Sequence, residues 1–130
     1  MLILCIDDDP QSLSIREEVL RANGVDVLSA RTGKTGIQLT RENKVDAVVL
    51  DYLMPDMNGE EVARMLKQEH PDLPIILCSG WDEIPERIFK LVDAFVAKGD
   101  GSEFLIEVIR AVAGRERLSR GERRLPRTGS

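Results

Sequence analysis

Ala47-Val48-Val49-Leu50-Asp51-Tyr52-Leu53-Met54-Pro55-Asp56-Met57-Asn58-Gly59 decides the fold. Its first four residues are apolar without polar alternation, the pattern of a strand buried on both faces. The run stops at a carboxylate, Asp51. Pro55 cannot continue a strand ladder, and Asn58-Gly59 turns the chain into a new helix. Asp51 therefore stands where a buried strand meets the surface. In open parallel α/β sheets, ligand sites lie just outside the carboxyl ends of the strands. A lone Asp there is equally well explained as a helix cap or turn residue, so the decision rests on what the other strands deliver to the same edge.

Working outward, residues 2–6 form a first apolar strand that ends at Asp7-Asp8-Asp9-Pro10. Pro10 suits the first turn of a helix, with Asp9 as its N-cap. That helix runs to about Ala22, with Leu13, Val19 and Leu20 for its buried face, and Asn23-Gly24 stops it. Residues 25–30 are a second strand and 32–42 a weaker helix carrying Ile37 and Leu39. The third strand occupies 45–50. A helix over 60–69 buries Val62, Met65 and Leu66. Residues 73–78 are the fourth strand, 79–82 a loop, 85–91 a short helix, and 94–97 a fifth strand ending at Lys98. Ser102 caps a last helix through about Ala113. Five continuous apolar strands alternate with five helices, which predicts a parallel sheet covered on both faces. Right-handed crossovers leave few topologies, and a flavodoxin-like (βα)5 doubly wound sheet with strand order 2-1-3-4-5 is expected.

A chain of 130 residues with 42% hydrophobic residues fits one domain with one core. Its net charge of -5 is uneven. Residues 1–113 hold 12 Lys and Arg against 21 Asp and Glu, whereas residues 114–130 hold six Arg and two Glu. The acidic body argues against nucleic-acid binding by the domain itself. The Arg-, Gly- and Ser-containing segment 114–130 lacks apolar periodicity and reads as a disordered basic tail. No apolar run approaches the roughly 18 residues needed to span a membrane, and no leader pattern precedes the first strand. A soluble cytoplasmic protein is expected. Cys5 and Cys78 lie in apolar runs without CxxC spacing and read as buried thiols, too far apart in this strand order to pair.

All parallel strands end on one edge. That edge collects Asp7 and Asp8 from strand 1, Asp51 from strand 3, Ser79 from strand 4 and Lys98 from strand 5. Three close carboxylates do not all stay ionised without a cation. Hard oxygen ligands with open positions suit Mg²⁺, and a lysine and a hydroxyl suit the remaining oxygens of a phosphoryl group. Capping, turn and solvated-end explanations exist for each residue singly. Their joint arrival at matching strand ends predicts a phosphoryl-transfer site with a carboxylate nucleophile.

The acid pair after strand 1, the Asp-x-x-Met-Pro-x-x-x-Gly run, Ser79-Gly80 and Lys98 resemble the CheY-like receiver domain of bacterial two-component response regulators over residues 1–113. The resemblance implies that Asp51 accepts a phosphoryl group from a phosphohistidine of a sensor histidine kinase or a histidine phosphotransfer protein. It implies Mg²⁺ held by the Asp8 and Asp51 carboxylates, by Asp7 mostly through water, and by the Leu53 carbonyl. Lys98 would pair with a phosphoryl oxygen. Ser79 would move toward the phosphoryl group, and Phe95 would be the aromatic switch that turns inward behind it. Such a domain promotes its own phosphorylation and dephosphorylation only, and is not otherwise an enzyme. Its output would pass through helix 4, strand 5 and helix 5 to an output protein or a second copy of the chain, without contacting membrane.

Three features depart from the family pattern. Gly99 replaces the proline that usually follows the lysine through a cis bond, so a cis bond is less favoured. The segment between Ser79 and Lys98 is shorter than usual, and no output domain follows residue 130 in this sequence. Thr32-Gly33-Lys34-Thr35-Gly36 has the look of a phosphate-binding loop, but Leu28 stands where the pattern needs glycine. His70 reads as a surface loop residue, and Trp81 as lining the site. Two rivals remain: a haloacid-dehalogenase-type phosphatase, with its nucleophile at Asp7 paired with Asp9, and the receiver fragment of a DNA-binding transcriptional regulator.

Overall fold

The computed structural model describes residues 1–80 and 84–122, the last eight as helical backbone only. Five strands, β1 (Leu2–Ile6), β2 (Asp26–Ala30), β3 (Ala47–Leu50), β4 (Ile75–Ser79) and β5 (Ala94–Ala97), form one parallel sheet in the order β2-β1-β3-β4-β5. The flavodoxin-like order is the one the apolar runs predict. Four α-helices are present among the described residues: α1 (Pro10–Ala22), α2 (Gly33–Glu42), α3 (Gly59–Glu69) and α4 (Ser102–Glu122).

Apart from the edge strand β2, which carries Asp26 and Ser29, the strands are apolar runs because alternate residues serve two cores. Ile3, Cys5, Val49, Ile76, Cys78 and Val96 pack with Leu13 and Leu20 of α1 and Leu105, Ile106 and Ile109 of α4. Leu4, Ile6, Val48, Leu50, Ile75 and Leu77 pack on the other face with Ile37 of α2 and Val62, Ala63 and Leu66 of α3. Full burial of one such side chain contributes about 1.5–3 kcal/mol. That outweighs the few tenths at stake in most propensity differences, so α2 forms despite two glycines and two threonines. Cys5 and Cys78 are both buried free thiols, on strands separated by β3.

The helix starts follow local chemistry. Asp9 caps α1, its carboxylate accepting the Gln11 N–H at 3.1 Å. Asn58 and Glu61 form a reciprocal capping box on α3, both bonds 2.9 Å.

Three expectations are corrected. The helix read over 85–91 is a 3₁₀ segment, Glu86–Lys90, bonded from Ile88 N–H to Pro85 O at 3.1 Å and from Leu91 N–H to Ile88 O at 2.8 Å. Five residues are too few for a stable α-helix and suit the tighter winding. Ser102 is the first residue of α4 and not its cap; Gly101 precedes it at φ +91°, a backbone conformation suited to glycine. Finally, α4 continues to Glu122, nine residues past Ala113. Lack of apolar periodicity in 114–122 argued against packing, but Arg, Glu and Leu there are good helix formers. Residues 123–130 and Trp81 lie outside the described residues. Among those described, no helix is long and apolar enough to cross a membrane.

Candidate functional site

Strand register builds the site. Ile6 pairs with Leu50, so Asp7 and Asp51 leave the sheet side by side, and the Asp51 N–H donates to Ile6 O at 3.0 Å. Ser79 pairs with Ala97, which brings Lys98 to the same edge. The structure therefore unites Asp7, Asp8, Asp51, Ser79 and Lys98, as the strand ends predict.

Asp7 is fully buried. Its Oδ1 accepts the Asp9 N–H at 3.0 Å, and its Oδ2 takes Lys98 Nζ at 3.1 Å. Asp51 is 6% exposed. Its Oδ1 accepts the Tyr52 N–H at 2.9 Å, and its Oδ2 lies 3.6 Å from Lys98 Nζ. Oxygens of Asp7, Asp8 and Asp51 lie within 4.8 Å of one another. Burial, and then the charges of Asp7 and Asp8, push the Asp51 carboxyl up to about 6, against the pull of Lys98 and the Tyr52 N–H. Burial alone would lower the Lys98 ammonium, but its bond to Asp7 and the charges of Asp51 and Asp7 leave it raised. The trio therefore offers one oxygen each, in a dense negative field. Such a donor set suits a small hard cation of the Mg²⁺ type.

Lys98 is aimed without a proline. It opens a short 3₁₀ turn, Lys98–Asp100, in which the Ala97 N–H donates to Asp100 Oδ2 at 3.0 Å. No cis peptide occurs among the described residues. Ser79 is buried at the tip of β4. Phe95 is 37% exposed and meets Phe89 edge-to-face at 5.8 Å between ring centres. A cavity of about 380 Å³ lies among Ser79, Ile84, Phe89, Phe95 and Lys98. Leu53, two residues beyond Asp51, is about half exposed.

Three site features were not read from the sequence. Arg16 of α1 is 9% exposed, and its Nη2 lies 3.5 Å from Asp7 Oδ2. The available signal was its spacing, three residues after Leu13 and four before Leu20, which puts a charge in the apolar stripe. Asp56 accepts the N–H groups of Gly33 and Lys34 at 3.1 and 3.2 Å, mooring the loop after β3 to the start of α2. The glycine-rich stretch that resembles a phosphate loop thus has its helix N-terminus bound by the chain's own carboxylate. Glu60 of α3 binds Arg64 at 2.6 Å and Arg87 of the 3₁₀ segment at 2.7 Å. His70 closes α3, its N–H bonded to Leu66 O at 2.7 Å.

The doubly wound sheet carries on one edge three carboxylates and a lysine, a donor set that could hold a small hard cation. The response regulator receiver domain family matches residues 3–110, and the chain belongs to that family. It is 33% identical over 116 residues to a probable transcriptional regulatory protein, TcrX, of Mycobacterium tuberculosis, covering 87% of this chain and 50% of that protein. It is 36% identical over 119 residues to the response regulator MprA of a Mycobacterium species (strain KMS), with the same coverage of each. The chain thus spans about half the length of these curated relatives. A solved response regulator, TrrA of Thermotoga maritima in complex with Mg²⁺ and BeF, superposes with a TM-score of 0.82 at 26% identity, covering 85% of this chain and 97% of that one. A receiver domain from Methanospirillum hungatei shares the fold at a TM-score of 0.84 and 24% identity, covering 89% and 95%. Family membership places the chain among two-component response regulators and removes the haloacid-dehalogenase alternative.

Proposed function

We propose that the domain takes a phosphoryl group onto Asp51 from the phosphohistidine of a histidine kinase or phosphotransfer protein. The carrying observation is the Asp51 carboxylate, buried beside Asp7 and Asp8 with Lys98 3.6 Å from its Oδ2. An Asp51 oxygen attacks phosphorus, the P–N bond breaks, and its electron pair returns to the imidazole. Asp8 and Asp51, the Leu53 carbonyl, and Asp7 through water would hold Mg²⁺, which neutralises charge on the phosphoryl oxygens. Lys98 binds one of those oxygens and Ser79 another. Asp7 is the poorer nucleophile, because it is fully buried with both oxygens bonded, to the Asp9 N–H at 3.0 Å and to Lys98 at 3.1 Å, whereas the Asp51 Oδ2 stands 3.6 Å from Lys98. Incubation with acetyl phosphate and Mg²⁺, followed by mass spectrometry, is expected to place a single phosphoryl group on Asp51. A label on Asp7 would overturn this assignment.

The output face is the 3₁₀ segment, β5 and α4, where Phe95 turns inward once Ser79 moves. The cavity of about 380 Å³ beside Ser79 supports this reading, since Ser79 and Phe95 both line it. Amide hydrogen exchange with beryllofluoride and Mg²⁺ is expected to change in residues 84–98 and in α4, and little in α1. Change confined to residues 51–59 would refute an output through this face. The partner on that face is a protein of the cytoplasm, a second copy of the chain, or an attached DNA-binding domain. The transcriptional regulator among its relatives, twice as long as the match, favours the last.

A further inference from the structure

Two cationic side chains meet Asp7 among the described residues, Lys98 and Arg16, and the phosphoryl chemistry above does not use Arg16. A guanidinium that is nine-tenths buried usually has its nitrogens satisfied. Arg16 does not meet that standard. Its Nη2 lies 3.5 Å from Asp7 Oδ2 and 3.9 Å from Cys78 Sγ, and its buried Nη1 has no hydrogen-bond partner. It lines a cavity of about 190 Å³ that also borders Ser12, Cys78, Lys98 and Ser102. Packing alone would favour an aliphatic side chain at this place, between Leu13 and Leu20 on the buried stripe of α1. What the arginine adds is charge. Asp7 Oδ2 therefore faces two cations, Lys98 at 3.1 Å and Arg16 at 3.5 Å.

We propose that Arg16 is a resident counter-ion of the acidic pocket: through Asp7 it holds the metal-free site together and weakens Mg²⁺ binding. It is a positioning residue, since its observed site contact is to Asp7. A fixed positive charge behind Asp7 does two things. It balances the repulsion between Asp7 and Asp51 when no metal is present. It also reduces the field a divalent cation feels, by adding a second positive charge beside the Asp7 oxygen that Lys98 already holds. The domain then binds Mg²⁺ less tightly than its three carboxylates alone would dictate, and loses less order when the ion leaves. This inference rests on the reading of Asp7, Asp8 and Asp51 as a Mg²⁺ site.

The test is calorimetric titration of the whole chain with MgCl₂, with thermal unfolding followed in parallel. Arg16→Gln keeps a donor toward Asp7 and removes the charge; Arg16→Lys keeps the charge. Arg16→Gln is expected to bind Mg²⁺ about ten-fold tighter than the parent, to unfold at lower temperature in EDTA, and to gain more from added Mg²⁺. Arg16→Lys is expected to stay within about two-fold of the parent Kd, a rescue that a purely structural role would not produce. If both variants bind Mg²⁺ with the parent's affinity, the counter-ion role is wrong while the metal site stands. If neither parent nor variants bind Mg²⁺, the metal site itself is wrong, and the inference falls with it. If Arg16→Gln does not fold, a Kd for Arg16→Lys more than about five-fold from the parent overturns the proposal, and one within about two-fold supports it.

Discussion

Asp51→Asn protein incubated with acetyl phosphate and Mg²⁺ is expected to carry no phosphoryl group, and in EDTA to be more stable than the parent by about 1–3 kcal/mol. The two outcomes have one origin. The Asp51 carboxylate is nearly buried, with oxygens of Asp7 and Asp8 close by and one shared lysine. Its carboxyl is raised to about 6 from an ordinary 3.8. A raised carboxyl means that the folded state resists ionisation. The resulting penalty is complete above about pH 6, and is relieved as pH falls through 6 toward 3.8. Raising a carboxyl by one pH unit costs the ionised folded state about 1.4 kcal/mol, which sets the size of the gain at pH 7. Urea unfolding at pH 7 and at pH 4 measures it. The stability difference should shrink at pH 4, and added Mg²⁺ should stabilise the parent more than the variant. A variant less stable than the parent in EDTA at pH 7 would mean that Lys98 already outweighs the repulsion.

Gly59→Ala is expected to cost at the upper end of about 1–3 kcal/mol and to slow phosphorylation by about 10–100-fold. A Cβ on Gly59 would stand 2.8 Å from the Tyr52 Cα and 2.9 Å from the Asp51 carbonyl oxygen. These are backbone atoms and cannot rotate aside. The Gly59 N–H also bonds the Tyr52 carbonyl at 2.6 Å, so the helix start is pinned against the residue that follows the nucleophile. The methyl group must therefore push α3 away or displace Asp51 itself, and displacements of about 1 Å at a reacting group cost rates of this order. Chemical denaturation and the initial rate of acetyl phosphate labelling check both parts. A full-rate, full-stability variant would show that the loop has slack. Gly33→Ala and Gly36→Ala are poor substitutes as probes, because the nearest atoms there belong to side chains.

The sheet order was legible because burial on both faces writes itself as unbroken apolar runs, and each run that reaches the site ends on a polar residue at the same edge. Asp7, Asp51, Ser79 and Lys98 could be found that way because strand ends are positions a sequence can mark. The helical elements were less legible where burial stopped helping. Residues 85–91 carry too few buried side chains to separate a 3₁₀ segment from an α-helix, with Ile88 the only buried one in Glu86–Lys90. The end of α4 lay in a stretch without apolar periodicity, where only weak propensity speaks. Arg16 was missed for a different reason. Sequence reading treats a charge on a helix as solvated, so its place in the apolar stripe between Leu13 and Leu20 went unused, and the packing of α1 on the sheet shows it beside Asp7. Asp56 was missed because it lies in a loop and its partners, Gly33 and Lys34, open a helix more than twenty residues upstream.

The moorings of the loop after β3 have a mechanical consequence. Asp56 fastens the loop to the start of α2, and Gly59 presses it against Tyr52. On the opposite side of the pocket, the described chain between β4 and β5 holds a single 3₁₀ turn, with Phe89 and Phe95 partly in water, and two ion pairs, Glu60–Arg87 and Lys67–Asp93, tie it to α3. The pocket therefore has one stiff wall and one compliant wall. On the proposed phosphorylation of Asp51, new charge there would do its work where the chain yields, so unequal stiffness would set the direction of the response. Tightening the compliant wall, for example by adding a further ion pair beside Arg87, would turn a responsive domain into a deaf one without touching its chemistry.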